Sequence, residues 1–530
     1  MKIKLILLSI LALGLALRLY KIDIPLADHH SWRQADSAAV IRNLAFGGSD
    51  IFHPQWDNLM PTNAGNLPNP NRYFFEDCPL TFDIYPALLL KVFGNKVLYL
   101  RLPSVLFSLL TIVFLYLLVS DLTNKKVGLL ASFFYAVLPY SIFFTRGVFQ
   151  EVPLNFYTVG SLFFLNRYLQ RQKNSFFALA LVFNCLLFLT KPYALVFLLP
   201  ELVLFWQKDK IACLKNKRLY LFFLISITPF VAWWLWVKNF PEGIPYSSWL
   251  LNEGNIRFKG AFFYWIFAQR LGNLILGFYG ILFFGLGLFL FEKFQDKLFY
   301  FWLLALLVYV SIIAKGNVTH DYYQIPFLPV VAYFMAKGMS FLLDLPKKPS
   351  NKLPASPATA GTRYSDVTSE KFVSLPAGKA GLSHSVRCTS DFSASRNKKM
   401  AFVLILIFLS FCLAFSWYDV RDFYNLQSGV DLAGAFIDKN VPQNVLVIAG
   451  DGADSTLLFN TNRRGWAIGY GAIYENSKEV VEKLRNQGAA YYVTTKFDKN
   501  SDFGRYMIKN YPLIKETDQY VVFTLIERLN

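Results

Sequence analysis

Between residues 21 and 100 the chain gathers side chains that can move protons or grip anions. One string is Asp28-His29-His30-Ser31-Trp32-Arg33-Gln34-Ala35-Asp36, and a second is Tyr73-Phe74-Phe75-Glu76-Asp77. A third, Thr145-Arg146-Gly147-Val148-Phe149-Gln150-Glu151, and a fourth, Lys315-Gly316-Asn317-Val318-Thr319-His320-Asp321-Tyr322-Tyr323, repeat the mixture. Carboxylates in such company can hold a divalent cation or take a proton from a hydroxyl, and Arg and Lys can bind a phosphate. Solvated loop charges, helix caps and an aromatic belt use the same residue types, as does an ion pathway.

The elements that must carry these strings are apolar helices. Of the 530 residues, 55% are hydrophobic and 17% charged, below the quarter or so typical of soluble domains. Apolar runs near 4–20, 101–120, 127–144, 151–168, 175–190, 192–207, 218–238, 271–291, 297–314, 322–344 and 400–418 predict about eleven spans. The first run lacks a small-residue cleavage site before Arg18 and reads as a retained anchor. With the N-terminus cytoplasmic, one set of loops holds Lys125 and Lys126, then Arg167, Arg171 and Lys173, then the basic run from Lys208 to Arg218. The alternate loops have Arg146, Lys191 and Lys315 nearly alone. Most of the net charge of +18 is therefore a topology signal, and nucleic-acid binding is not needed to explain it. Five scattered cysteines, with no metal-ligand spacing, argue against a disulfide framework or structural zinc.

Three segments lie outside these runs. Residues 21–100 form a long outside loop in which the spacing of Ala35, Ala38, Ile41 and Ala45 predicts an amphipathic helix along the membrane face, carrying Asp36. Residues 345–399 are rich in Ser, Ala, Pro and Lys without an apolar period and read as a disordered cytoplasmic linker. Residues 425–530 predict a small outside α/β domain: strand Val445–Ala449, helix Lys478–Gln487, strand Ala490–Thr494, helix Phe503–Asn510, strand Tyr520–Leu525. Its Gly450-Asp451-Gly452 and Gly469-Tyr470-Gly471 lack the context of a nucleotide-binding loop and read as structural turns.

The order of motifs resembles the GT-C membrane glycosyltransferases, the superfamily of protein O-mannosyltransferases and bacterial lipid A aminoarabinose transferases. It is most similar to the bacterial branch with a Trp-Arg-Gln-Ala-Asp first loop. The resemblance is carried by Arg18-Leu19-Tyr20, Trp32-Arg33-Gln34-Ala35-Asp36, Ile41-Arg42-Asn43, Tyr73-Phe74-Phe75-Glu76 and Pro79-Leu80. Arg101-Leu102-Pro103-Ser104, Thr190-Lys191-Pro192 and His320-Asp321-Tyr322-Tyr323 continue it, over residues 1–344 plus the last span and the tail.

This resemblance implies a GT-C transmembrane core over 1–344, a last span at 400–418 and a multi-pass protein of the cell membrane. It implies transfer of a sugar from a polyprenyl-phosphate carrier to a cell-envelope lipid, glycan or protein acceptor, by one inverting displacement on the outer face. A first-loop acid would be the base. Asp36 ends the matching signature; Asp28 is the second candidate, because the better-known relatives have Asp-Glu where this chain has Arg33-Gln34. Glu151 stands where relatives often have Asp and would support the base, and Glu76 would hold a divalent cation, Mg or Mn. Arg33, Arg146, Lys191, Lys315, His320 and Tyr322 are the expected donor-binding residues. The rivals are a transporter or flippase of lipid-linked sugars, which predicts charged residues within the spans, and a non-catalytic partner in envelope assembly.

Overall fold

The computed structural model describes residues 2–61, 71–241, 248–290, 296–344, 383–469 and 475–529. The linker expected at 345–399 falls outside them as far as residue 382; the helix Ser383–Val420 then starts well before the apolar stretch at Met400. Gly469-Tyr470-Gly471 also lies mostly outside the described residues.

Each predicted apolar run coincides with helix, but among the described residues four helices are both long and apolar enough to cross a membrane: Val97–Leu122, Lys217–Val237, Asp321–Asp344 and Met400–Tyr424. The others are shorter, more polar or interrupted. Run 271–291, for example, divides into a π-helical stretch Tyr264–Ile275 and the helix Ile281–Phe289. Two of the helices carry a charged residue within the apolar run, Glu201 and Lys337. Lys337 donates to Asp296 at 2.7 Å, and Glu201 accepts from Ser161 and Asn184 at 2.9 and 3.0 Å; all are buried and partnered.

The run 127–144 shows how the sequence sets a break. It forms α5 (Lys125–Val137) and α6 (Pro139–Phe144), separated at Leu138 because Pro139 has no N–H to donate to Tyr135 four residues back. The freed carbonyl of Tyr135 instead accepts from the Ser141 hydroxyl at 2.7 Å and from Arg18 at 3.1 Å. Arg18 closes α1 (Lys2–Leu19), is fully buried, and also reaches the Ala136 carbonyl and the Thr145 hydroxyl at 2.9 and 2.8 Å. This clamp fixes the approach to the 145–151 string, from which α7 (Glu151–Arg171) starts.

In the first loop, α2 (Ser31–Phe46) carries Asp36 as expected, and it is covered on more than one side. Eleven of its sixteen residues, including Arg33, Gln34, Asp36 and Asn43, are buried. It packs on α3 (Ile84–Phe93) on one side and on the helix Thr456–Asn460 of the C-terminal region on another. Most of the apolar exposure belongs to α3, through Leu88, Val92 and Phe93, with Phe46 at the end of α2.

The C-terminal region is the predicted α/β domain with more elements than the sequence showed. Five strands, β1 (Leu446–Ala449), β2 (Arg464–Ala467), β3 (Ala489–Thr494), β4 (Leu513–Glu516) and β5 (Val521–Thr524), pair in the order β2-β1-β3-β5-β4. β2 and β3 flank β1 in parallel, while β5 is antiparallel to β3 and β4. The helices Val430–Asn440 and Thr456–Asn460 and the strands β2 and β4 were not foreseen. The first loop extends this sheet: Leu59 donates to the Gly465 carbonyl at 2.7 Å and Gly465 to that of Asp57 at 3.1 Å. Met60 completes one of the domain's apolar clusters and Ala27 another.

Candidate active site

The polar strings converge where the start of α2, the segment before α3, the start of α7 and the break at Lys191 meet. His30 precedes α2 in the left-handed region (φ 53°), which non-glycine residues enter at a cost. That turn brings two consecutive imidazoles onto one carboxylate. His29 Nε2 lies 2.9 Å from one oxygen of Asp321 and His30 Nε2 2.6 Å from the other. Arg270 stands 3.7 Å from the same carboxylate, and Tyr140 donates to the Asp321 carbonyl at 2.6 Å. Among the described residues this is the cluster whose donor atoms, all within 4.8 Å of one another, can hold a metal ion. Two imidazole nitrogens and one carboxylate suit a borderline ion such as zinc better than Mg, which prefers oxygen ligands.

One turn on, Arg33 pairs with Asp77, whose other oxygen lies 2.5 Å from Lys191 Nζ. All three are buried. Burial pushes the Asp77 carboxyl upward, but Arg33 and then Lys191 outweigh it and hold it below the ordinary carboxylate range. Burial alone would lower Lys191; Asp77 beside it reverses the sign and keeps the ammonium charged. Glu76 sits at the rim, 3.8 Å from Arg33 and 3.9 Å from Lys191. Among the described residues Glu76 belongs to no group of three or more side chains close enough together to hold a metal ion. Glu151 is buried at the start of α7 and accepts from the Tyr193 hydroxyl at 3.1 Å through Oε1. Its Oε2 and Arg33 Nη1 are both buried without a hydrogen-bond partner. Such orphaned groups are costly in a folded protein unless something else satisfies them.

The other expected residues are placed differently. Asp28 accepts from Arg101 at 2.9 Å, from Arg146 at 2.8 Å and from Gln34 at 2.8 Å, so both oxygens are committed to structure. Arg146 is committed with it, donating also to the Lys21 carbonyl at 3.1 Å and lying over the rings of Tyr424 and Phe143. Asp36 faces the C-terminal domain, where the Ser455 hydroxyl donates to it at 2.5 Å. Burial raises its carboxyl to about 8, against the opposing pull of that hydroxyl and of Arg33. His320 stacks with Tyr322 at 5.5 Å and lies 5.3 Å from the Trp32 ring. Burial, reinforced by the charge of His30, holds its imidazole down to about 4, so it is neutral at pH 7 and does not serve as a cation. Lys315 occupies the short helix Ala314–Thr319 and makes no ion pair among the described residues. Sequence reasoning assigned no role to Asp77, Asp321, His29, His30, Arg101 or Arg270. The His29-His30 doublet and the acids adjoining Glu76 and His320 were the available signals.

Beside the site an apolar cavity of about 230 Å³ is lined by Ile266, Phe267, Leu271, Phe284, Leu303 and Gln324.

Comparison with known proteins agrees with this architecture. The sequence profile described as dolichyl-phosphate-mannose-protein mannosyltransferase matches residues 77–236. ArnT from Cupriavidus metallidurans, solved bound to undecaprenyl phosphate, superposes with a TM-score of 0.61 at 14% identity, over 98% of this chain and 97% of that one. The chain has the GT-C fold. A second GT-C structure, the Archaeoglobus fulgidus oligosaccharyltransferase in complex with Zn and sulfate, superposes with a TM-score of 0.58 at 12% identity, over 99% of this chain and 75% of that one. The same archaeal enzyme has also been solved with an inhibitory peptide and a dolichol-phosphate (TM-score 0.56, 11% identity, 99% and 76% covered). No curated protein matches the chain by sequence. On the GT-C scaffold the Arg33–Asp77–Lys191 cluster, Glu151 and the His29–His30–Asp321 cluster share one end of the helical bundle, beneath α2 and the C-terminal domain.

Proposed function

We propose that the protein is an eleven-span membrane glycosyltransferase that moves a sugar from a polyprenyl-phosphate carrier to an envelope acceptor on the outer face of the cell membrane, with inversion. The observation that supports this best is the pairing of buried cations, Arg33 and Lys191, with a buried carboxylate oxygen left unpaired, Glu151 Oε2. Cations aimed at a leaving phosphate and a carboxylate free to take a proton are what such a displacement requires. The apolar cavity beside Gln324 suits a polyprenyl tail, and the structural relatives solved with undecaprenyl phosphate and dolichol-phosphate bind that class of carrier.

In the reaction the acceptor oxygen forms a bond to the anomeric carbon as the bond from that carbon to the phosphate oxygen breaks. The electron pair leaves with the phosphate, where Arg33 and Lys191 stabilise it, and the acceptor proton passes to Glu151 Oε2. Asp77 orients both cations. Asp28 and Asp36, the bases expected from the sequence, are given structural roles here, since neither presents a free oxygen to the cluster. His29, His30 and Asp321 would hold a divalent cation of the zinc type, which supplies positive charge for the phosphate when bound.

Vesicles supplied with labelled polyprenyl-phosphate sugars test the reading. One donor is expected to be consumed by wild type, with Glu151→Gln slowed by roughly a hundredfold or more and Asp36→Asn retaining activity. Metal analysis of the purified protein should find about one equivalent, lost in His30→Ala. Consumption of no donor, with lipid-linked sugar still changing leaflet, would replace the transferase by the flippase.

A further inference from the structure

A second site lies away from the cluster just described. The C-terminal end of α2, the turn at Asn95 and the edge of the C-terminal domain enclose a cleft of about 620 Å³. Its walls are rich in amide and guanidinium groups, among them Gln443, Asn444, Arg42 and Arg464, and the exposed ring of Phe46 stands at its lip. Arg42 is neutralised by Asp57 across the wall. Arg464 is not: it is exposed and has no ionic or hydrogen-bonding partner among the described residues, and its charge repels that of the buried Arg72. Asn444 and Asn95 are likewise exposed and without a hydrogen-bond partner among the described residues.

Amides that both donate and accept, an aromatic edge and one uncompensated guanidinium form a lining suited to sugar hydroxyls and an anionic substituent. The cleft is also rigidly placed. The wall at residue 464 is pinned by the bonds between Gly465 and residues 57–59, and α2 runs from Arg33 in the cluster to Arg42 in the cleft, about 13 Å along its axis. Asn95 lies two residues before the helix Val97–Leu122, so the cleft opens where that helix begins, with Phe93 exposed nearby.

We infer that this cleft binds an acidic saccharide, one whose chain carries a carboxylate or phosphate, and that it anchors the acceptor while the acceptor's reacting sugar extends along α2 to the cluster. This rests on the proposed transferase reading, but binding can be tested without it.

Purified full-length protein in detergent would be titrated calorimetrically with tri-galacturonate, phosphorylated maltotriose, neutral maltotriose and inorganic phosphate. The charged trisaccharides are expected to bind roughly tenfold or more tightly than maltotriose or inorganic phosphate. Arg464→Gln should abolish that preference, and Asn444→Ala should weaken both. Donor hydrolysis, measured on the same samples, should be unchanged in both variants. Absence of binding by either charged trisaccharide overturns the inference, as does equal binding in Arg464→Gln. Inorganic phosphate binding as tightly as phosphorylated maltotriose would reduce the cleft to a bare anion site and overturn the saccharide claim. A protein that turns over no donor yet binds tri-galacturonate through Arg464 would defeat the transferase reading and leave the cleft standing.

Discussion

Four carboxylates in and around the first loop are told apart by their partners rather than by their type. Asp28 is held by two arginines, Asp77 by an arginine and a lysine, Asp36 by a serine, and Glu76 stays at the rim. The Asp36 environment has a consequence for pH. Its folded carboxyl titrates near 8 against an ordinary 3.8, so the folded protein holds this proton where the unfolded chain has released it. The stability Asp36 contributes is therefore fully present below about 3.8 and is lost as pH rises through about 8. Thermal unfolding in detergent across this interval should show a falling midpoint that flattens in Asp36→Asn. An equal slope in that variant would assign the pH dependence elsewhere.

The break between α5 and α6 is stabilised by a side chain from α1. Without Arg18 the Ala136 carbonyl loses its buried side-chain donor, at a cost of about 1–3 kcal/mol if nothing replaces it, while the Tyr135 carbonyl keeps the Ser141 hydroxyl. Arg18→Leu should lower the thermal midpoint by several degrees. It should also disturb the 145–151 string, because Arg18 donates to Thr145 and Thr145 lies beside Ser108 at 3.0 Å. Reduced transfer together with lower stability is the expected result; a midpoint equal to wild type would show that water replaces the guanidinium.

The C-terminal domain is joined to the membrane body by a strand pairing as well as by side chains. Gly465 makes this possible: a Cβ there would sit 1.8 Å from the Val447 carbonyl oxygen of β1. Gly465→Val is therefore expected to push β2 off β1 and release residues 57–59, while the helical body stays folded. Hydrogen exchange should show faster exchange at Leu59, with slow exchange retained in Val97–Leu122. Transfer should fall with it, since Asp36, α2 and the cleft all lose their cover. Slow exchange at Leu59 in the variant would mean that the domain docks through Ser455 and Met60 instead.

The membrane-type composition, the positions of the apolar runs, the α/β tail and the resemblance to the GT-C superfamily are all legible in the order of the amino acids. Those properties rest on periodicity, local propensity and motif order, which are legible one segment at a time. Arg33, Lys191 and Glu151 were also legible as candidates, because charged residues are rare in so apolar a chain. Their sorting was not. Asp77 joins Lys191 across more than a hundred residues, His29 and His30 meet Asp321 across nearly three hundred, and Asp36 meets Ser455 across more than four hundred. Whether a carboxylate is a free base, a clamp for arginines or a neutral contact depends on which partners burial brings within a few ångströms. Only the tertiary structure fixes that distance.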